Sequence, residues 1–357
     1  MENEKKPMSR KRLILIILCA VLGLLMALLI VGVVLVDDML SQMGDLTEGT
    51  IDSALLESMF NATEDDNVTL DPQIPTRDPV DVTMPPAPVE TIPVGEEMIH
   101  VLLVGQDRRG GTRNSNSDSV ILCSINRVDK TVTLTSFMRD MYVRIPGYYD
   151  WKINAAFMIG GAKLLNDTIE YNFGVRGDHI VAVDFTGFQQ IVDMVGGLDI
   201  ELTQREADYL NRRGNWDVDN ESAGTWELKE GVNHMTGAQT LAYSRIRAIG
   251  DDFERTNRQR KVLTLLVEKA KTMNVVQLYD LANAVLPLVS TDMSNMEVIS
   301  YVMKLLPILK DMEVVTQRIP ANGTYTYENI KGPGSCLIPD LDKNRQLLID
   351  TIGAKSE

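Results

Sequence analysis

The sequence has few of the residues that build metal centres, disulfide frameworks or nucleic-acid surfaces. It contains three cysteines and three histidines in 357 residues, and neither set has the spacing of a zinc site. The formal net charge of −15 argues against general nucleic-acid binding, which needs a basic face. The chain also lacks a P-loop, a G-x-S-x-G element and a G-x-G-x-x-G element. Nucleotide cofactors and serine-hydrolase chemistry are therefore not indicated.

The three cysteines do not resemble the disulfide framework of a small exported domain. Cys19 lies in an apolar run, Cys123 in a strand-like segment and Cys336 in a turn flanked by glycine and proline. A bridge between Cys123 and Cys336 and two free thiols are both compatible with these positions.

One long apolar run, from Leu13 to Val36, contains no charged residue. At about 1.5 Å per residue, a helix of this length crosses a hydrocarbon core of roughly 30 Å. Basic residues precede the run and two aspartates follow it, which predicts a cytoplasmic N-terminus. The alternative is a cleaved signal peptide, whose apolar core spans about 7–15 residues and ends at small residues that this run lacks. We expect a single-pass cell-membrane protein with the chain after Val36 outside the cytoplasm.

The remaining sequence divides by composition. Residues 1–12 form a basic tail that we expect in the cytoplasm, and residues 13–36 the transmembrane helix. Residues 37–95 form an acidic, proline-rich stalk, because such a composition cannot bury enough apolar surface to offset its ordering entropy. Residues 96–353 are long enough for one domain with its own core, or for at most two small ones. Because no linker-like segment divides them, we expect a single domain.

Strand-like and helical segments alternate through this domain. Strands are predicted at 100–105, 120–126, 132–137, 180–184 and 198–202, and helices at 155–171, 185–195, 253–271 and 341–352. Such alternation is typical of α/β folds. We expect a central mixed β-sheet flanked by helices on both faces, preceded by one N-terminal transmembrane helix.

Two carboxylates lie at the edges of predicted strands. Asp107 follows the first strand, and Asp118 opens the next. Magnesium takes one or two carboxylates together with phosphate oxygens and water, so the pair is suited to share a hard cation. The alternative is that each aspartate only caps a turn.

This acidic chain concentrates arginines in a few short segments. They occupy the end of a predicted strand, an i, i+2 pair and one face of a predicted helix, namely Arg139; Arg245 and Arg247; and Arg255 and Arg258 with Gln259. Arginine suits phosphate because its planar guanidinium donates paired hydrogen bonds and stays charged. Surface salt bridges to the many carboxylates are the alternative.

Together, these segments resemble the LytR–CpsA–Psr family of cell-wall glycopolymer ligases. The resemblance extends from about residue 100 to about residue 270. Its motifs are Leu102-Leu103-Val104-Gly105-Gln106-Asp107, Ser117-Asp118-Ser119, Arg139-Asp140, Lys152-Ile153-Asn154, Val183-Asp184-Phe185, Gly196-Gly197-Leu198, Tyr243-Ser244-Arg245-Ile246-Arg247, and Asp252 with Arg255 through Arg258-Gln259. Each motif is short, but the complete series in this order is specific.

The resemblance implies a phosphotransferase that moves a glycopolymer, such as teichoic acid or capsule, from a polyprenyl-pyrophosphate carrier to a peptidoglycan hydroxyl. Polyprenyl phosphate would be released. The implied metal ligands for Mg²⁺ or Mn²⁺ are Asp107 and Asp118. The prenyl chain would occupy an apolar cleft lined partly by helices similar to 155–171 and 185–195. The implied partners are the lipid-linked glycopolymer, peptidoglycan and the lipid membrane, with no nucleic acid.

The resemblance also implies roles for individual residues. The catalytic residues are Asp107, Asp118, Arg139, Arg245 and Arg247. The pyrophosphate-binding residues are Arg113, Arg139, Arg245, Arg247, Arg255, Arg258 and Gln259. The supporting residues are Asp140, Lys152, Asn154 and Asp252. The family usually has arginine directly before the Ser-Asp-Ser triplet, where this chain has Asn116. Either Arg113 supplies that contact from the preceding loop, or the contact is missing.

Two other functions stay open from the sequence. One is a hydrolase that cleaves lipid-linked pyrophosphate at the same site with water as the acceptor. The other is a non-catalytic, membrane-bound binder or regulator. An acidic chain with its folded part outside the cytoplasm argues against direct DNA contact by such a regulator.

Overall fold

The computed structural model describes residues 44–45, 76–77, 90–92, 97–106, 117–212, 226–294, 297, 300–301 and 304–352. The predicted tail (1–12) and transmembrane helix (13–36) lie outside these residues, as does most of the predicted stalk. Within the described ranges, no helix combines the length and hydrophobicity that crossing a membrane requires.

Strands and helices alternate along the described chain, as the sequence predicted. The strands are β1 (Gly44–Asp45), β2 (Thr76–Arg77), β3 (Met98–Gln106), β4 (Ser117–Asn126), β5 (Thr131–Phe137), β6 (Tyr142–Arg144), β7 (Asp150–Lys152), β8 (His179–Asp184), β9 (Leu198–Leu202), β10 (Gly231–Met235), β11 (Val289–Thr291), β12 (Glu313–Ile319), β13 (Tyr325–Ile330) and β14 (Gly334–Pro339). The α-helices are α1 (Ile153–Phe173), α2 (Phe185–Met194), α3 (Gln204–Leu210), α4 (Gly237–Arg245), α5 (Asp252–Lys271), α6 (Val275–Val285) and α7 (Leu341–Ile352).

A mixed central sheet organises the domain, with the strand order β1-β11-β8-β3-β4-β5-β12. Strand β3 pairs antiparallel with β4 and parallel with β8. Strand β5 pairs antiparallel with β4 and parallel with β12. Smaller sheets are formed by β9 with β10, by β6 with β7, and by β14, β13 and β2. The predicted α/β fold with a central mixed sheet is confirmed.

Alternating side chains give the central sheet two apolar faces. Leu102 of β3 lies opposite Leu122 of β4, and both pack into a core with residues of α1 and α7. The next pair, Leu103 and Ile121, points to the other face and packs near Leu263 of α5. Successive strand residues point to opposite faces. Helices α1 and α7 cover one of these faces, and α5 covers the other.

Helix α1 is interrupted in the middle, which the sequence did not indicate. Gly160 and Gly161 have non-helical backbone angles, and Gly161 has φ +67°. This left-handed value favours glycine, because a Cβ would be strained there. Two helical pieces therefore cover the sheet face of Leu102 and Leu122, where one continuous helix was predicted.

Cys123 and Cys336 are not bridged to each other. Cys123 belongs to β4 of the central sheet, whereas Cys336 belongs to β14 of a small sheet. Of the two sequence interpretations, the structure does not support a Cys123–Cys336 disulfide.

Candidate active site

Helix ends and strand ends meet beside the sheet face on which Leu103 and Ile121 lie. Helix α4 begins with a capping box between Thr236 and Gln239 and ends at Arg245. Helix α5 begins after Asp251, whose side chain accepts the Glu254 backbone N–H at 2.8 Å. Caps of this kind satisfy backbone donors and fix where a helix starts. Charged residues come together where four elements meet: the end of α4, the start of α5, the start of β4 and the end of β5.

A cavity of about 320 Å³ opens at this junction, and we call it the apolar cavity. Its apolar walls are Leu103, Val104, Ile121, Val181, Val183, Phe185, Phe188, Ile191, Leu241, Val262, Leu263, Leu266, Val285 and Val289. Its polar lining consists of Asp118, Ser119, Asp184, Ser244, Arg245, Arg247, Arg255 and Gln259. An apolar cavity with a few converging charged groups is suited to an amphiphilic ligand.

Asp118, the second residue of β4, receives two arginines. Arg247 Nη2 donates to Asp118 Oδ1 at 3.0 Å, and Arg139 Nη1 donates to the same oxygen at 3.3 Å. Within the described part of the chain, neither a hydrogen bond nor an ion pair reaches Asp118 Oδ2. That oxygen fits the role of one carboxylate ligand of magnesium, for which phosphate oxygens and water supply further ligands.

Arg139, two residues after the end of β5, connects three carboxylates. Its Nη1 lies 3.3 Å from Asp118, its Nη2 3.4 Å from Asp252 and its Nε 3.5 Å from Asp140. Asp140 also pairs with Lys152 at 3.0 Å. Burial raises the pKa of the Asp140 carboxyl, but Lys152 and Arg139 outweigh burial and hold that pKa below its usual value. Asp140 is therefore ionised at neutral pH.

Arg255 carries unused hydrogen-bond donors. Its side chain pairs with Asp252 at 2.8 Å, and the residue is only 2% exposed. Its Nε and Nη1 have no hydrogen-bond partner among the described residues. Burial lowers the pKa of Arg255 to about 10, with Arg139 and Arg247 adding to the effect against Asp252. Leaving a buried donor unpaired costs roughly 1–3 kcal/mol, so an anion at this position would be stabilising.

The predicted i, i+2 pair faces the apolar cavity. Arg245 and Arg247 both line it, whereas the intervening Ile246 is fully buried in a neighbouring hydrophobic cluster. The Arg245 guanidinium lies 4.4 Å from the centre of the Phe185 ring, a cation–π contact that orients it.

The structure does not bring Arg258 to this cavity. Its Nε donates to Glu206 at 2.7 Å, its Nη2 to Glu254 at 3.2 Å and its Nη1 to the Ile246 carbonyl at 3.2 Å. Arg258 thus joins α5 to α3 and to the backbone beside Arg247. Gln259, one residue further along the helix, does line the apolar cavity.

The other predicted residues fall into two groups. Asp252, Asp140 and Lys152 belong to the charged network around Arg139, whereas the Asn154 backbone N–H only reaches the Arg139 carbonyl at 3.4 Å. Asp107 and Arg113 lie outside the described residues, so their predicted roles stay predictions. Among the described residues, no group of three or more His, Cys, Asp or Glu is arranged to hold a metal ion.

The apolar walls differ from the predicted cleft in one helix. Phe185, Phe188 and Ile191 of α2 line the cavity as predicted. Helix α1, which covers the predicted segment 155–171, does not line it and packs against the opposite sheet face. Helices α4 and α5 supply that wall instead. Apolar spacing shows which side of a helix is buried, but not which face of the sheet the helix covers, so the prenyl-binding role of 155–171 stays a prediction.

A family model, described as the LytR_cpsA_psr family, matches residues 59–335. The chain is similar to "Regulatory protein MsrR" of Staphylococcus aureus (strain Mu50 / ATCC 700699), with 30% identity over 256 residues, which are 71% of this chain and 73% of that protein. It is also similar to "Polyisoprenyl-teichoic acid--peptidoglycan teichoic acid transferase TagT" of Bacillus subtilis (strain 168), with 30% identity over 190 residues, 52% of this chain and 57% of that protein. Its fold is similar to the solved structure of the LytR-CPS2A-psr family protein YwtF (TagT) with bound octaprenyl pyrophosphate lipid. That match has a TM-score of 0.55 and 22% identity and covers 78% of this chain and 97% of the other.

Proposed function

The chain belongs to the LytR-CpsA-Psr family, and on this premise we propose that it is a membrane-anchored phosphotransferase that attaches a glycopolymer to peptidoglycan. The donor is a glycopolymer on a polyprenyl-pyrophosphate carrier, and the acceptor is a peptidoglycan hydroxyl. One observation carries the proposal: an apolar cavity is lined at its charged part by Arg245, Arg247 and the incompletely paired Arg255. A pyrophosphate with a long apolar tail matches both parts of this cavity.

The arginines act on charge that develops during transfer. The phosphorus that bears the glycopolymer gains a bond to the acceptor oxygen and loses its bond to the bridging oxygen. The bridging oxygen leaves with polyprenyl phosphate and carries increasing negative charge. Positioned guanidinium groups stabilise this charge without a covalent intermediate, because phosphoryl transfer depends mainly on positioning and electrostatics. Ion pairs hold these groups in position. Arg139 pairs with Asp118 and Asp252, and Asp252 in turn pairs with Arg255.

We assign Asp118, with Asp107, as the carboxylate ligands of Mg²⁺ or Mn²⁺. The donor set supports this, because one Asp118 oxygen accepts from two arginines, whereas the other forms no hydrogen bond or ion pair with a described residue. A cation held by these residues would supply additional positive charge to stabilise the developing phosphate charge. The run from Leu13 to Val36 supports a membrane anchor that keeps the domain close to its lipid-linked donor.

Reconstitution tests this proposal. The full chain is placed in lipid vesicles with lipid-linked teichoic acid or capsule precursor, purified peptidoglycan and Mg²⁺. We expect a covalent glycopolymer–peptidoglycan product and one polyprenyl phosphate released for each bond formed. Release of glycopolymer phosphate without attachment would identify a hydrolase, and binding without turnover would identify a binder or regulator. Either result contradicts the proposal. A C-terminal reporter that is active only after export tests the predicted orientation.

A further inference from the structure

A second cavity, about 420 Å³ in volume, lies next to the same ion pairs. Its charged lining is Arg139, Asp140, Lys152 and Asp252, and its aromatic lining includes Phe253 and Tyr327. We call it the polar cavity. Neither Asp140 nor Asp252 lines the apolar cavity, and Asp118 does not line the polar one. Since the Arg139 guanidinium contacts all three carboxylates, it stands between the two cavities.

We propose that the polar cavity is the acceptor subsite and binds the peptidoglycan sugar that carries the attacking hydroxyl. This inference rests on the proposed function. Its first support is the balance of charge in the lining, where one arginine and one lysine face two aspartates. A cavity with balanced charges and many hydrogen-bonding groups suits an uncharged polyol better than it suits a second anion.

The second support is an aromatic surface at the edge of the cavity. Tyr327 is 49% exposed, whereas the Phe253 ring is covered by the Arg318 guanidinium at 3.8 Å. Tyr327 is braced by an edge contact with Tyr325, whose ring centre lies 5.5 Å away. An exposed, braced ring provides an apolar surface for the C–H face of a sugar and a polar hydroxyl for its edge.

The third support is the geometry of the reaction. The attacking and leaving oxygens lie roughly in line on opposite sides of the phosphorus. If polyprenyl phosphate leaves toward the apolar cavity, the acceptor oxygen must approach from the side of Arg139 where the polar cavity opens. There the ionised Asp140 accepts a hydrogen bond from the acceptor hydroxyl. As the new P–O bond forms and the bond to the bridging oxygen breaks, the hydroxyl proton passes to Asp140 and then to solvent.

The donor glycopolymer is also a saccharide, so the experiment must separate donor from acceptor. It uses the full chain in vesicles, with Tyr327→Ala as the test variant and Tyr327→Phe as the conservative one. Thr326→Ala is the matched control, because this exposed residue neighbours Tyr327 on β13 and points to the opposite face. Three quantities are measured: the KM for peptidoglycan glycan strands, the affinity for lipid-linked glycopolymer relative to bare polyprenyl pyrophosphate, and direct binding of soluble glycan strands.

We expect Tyr327→Ala to raise the acceptor KM roughly three- to tenfold, the range of a lost aromatic contact, and to weaken strand binding equally. Donor affinity should stay unchanged, and Thr326→Ala should behave like the wild type. Tyr327→Phe keeps the ring but loses the hydroxyl, so it should raise the acceptor KM less than Tyr327→Ala does. An unchanged acceptor KM in a folded Tyr327→Ala variant would overturn the inference. So would weaker binding of the lipid-linked glycopolymer relative to the bare carrier, since the cavity would then hold the donor. If the wild type binds strands through Tyr327 but never transfers, the proposed function fails and the saccharide site stands.

Discussion

The apolar and polar cavities share the Arg139 network but differ in charge and in how it is compensated. The apolar cavity is lined by three arginines and two aspartates, and one of these aspartates, Asp184, is engaged in capping α2. The polar cavity has equal numbers of each sign. An excess of arginine over aspartate in an apolar lining attracts a phosphate group, whereas equal numbers of positive and negative groups favour hydroxyl groups. The ion pairs around Arg139 can therefore separate a subsite for a phosphate group from a subsite for a sugar.

The largest expected effect comes from replacing two arginines that line the apolar cavity. The double variant Arg245→Lys/Arg247→Lys keeps both charges but loses both planar donor pairs. A lost charge-assisted hydrogen bond costs roughly 1.5–3 kcal/mol, about ten- to hundredfold in rate, so two independent losses reduce transfer about 10²–10⁴-fold. The rate of product formation in vesicles measures this. Arg205→Lys/Arg212→Lys, at exposed positions of α3 and the residues after it, is the control. Full activity in the test variant would show that these arginines serve only as salt-bridge partners.

Metal dependence tests whether the apolar side of the network also holds a cation. Chelation should stop transfer, and Mg²⁺ or Mn²⁺ should restore it. Asp118→Asn should raise the Mg²⁺ concentration for half-maximal transfer by at least about tenfold, since even outer-shell partners contribute roughly ten- to hundredfold to metal affinity. Asp208→Asn, an exposed aspartate of α3, should leave the Mg²⁺ titration unchanged. An unchanged titration in Asp118→Asn would place the cation elsewhere.

The two cavities also differ in how far the sequence predicted them. Asp118, Arg247 and Arg255 sit at element ends within short motifs, and the local pattern was enough to group them. Tyr327 comes from the β13–β14 hairpin, whose position beside Lys152 depends on pairing between distant segments. No motif marks it, although an alternating strand pattern with exposed aromatics was a usable signal.

The helices show the same limit in another form. The i, i+3, i+4 pattern grouped Arg258 with Arg255 and Gln259, but Glu206 of α3 lies beside Arg258 and engages it. The pattern states which residues share a helix face, not which neighbouring element meets the edge of that face. The central sheet was more predictable, because its strands are continuous apolar segments with clear ends.

Lowering the pH should weaken the Asp140 ion pairs of the polar cavity and so reduce their contribution to the free energy of unfolding. The pKa of Asp140 is lowered in the folded state, so its ion pairs stabilise the fold above the ordinary aspartate pKa of about 3.9 and lose that contribution as pH falls through the lower folded value. Lys152→Met should reduce the free energy of unfolding by about 1 kcal/mol at pH 7. The difference from the wild type should shrink below about pH 4.

Urea unfolding at pH 7 and pH 3 measures this difference. Lys163→Met removes a more exposed pair with Asp167 and should change stability by less than about 0.5 kcal/mol at either pH. A Lys152→Met deficit that stays constant across pH would mean that the lysine contributes through packing and not through Asp140.

The smallest expected effect on transfer belongs to Arg258, which shares α5 with Arg255 but lines neither cavity. Arg258→Lys removes the fork that reaches both Glu206 and the Ile246 carbonyl, so we expect the free energy of unfolding to fall by roughly 1–3 kcal/mol. Transfer by the folded fraction should stay close to the wild-type rate, because Arg258 lines neither cavity in the described structure. Arg255→Lys is the matched comparison, three residues earlier on α5. If both variants lose transfer to the same extent at equal folded fraction, Arg258 reaches the substrate in a rearranged state. If only Arg255→Lys loses it, one helix turn separates an arginine that binds substrate from one that fixes the position of Arg247.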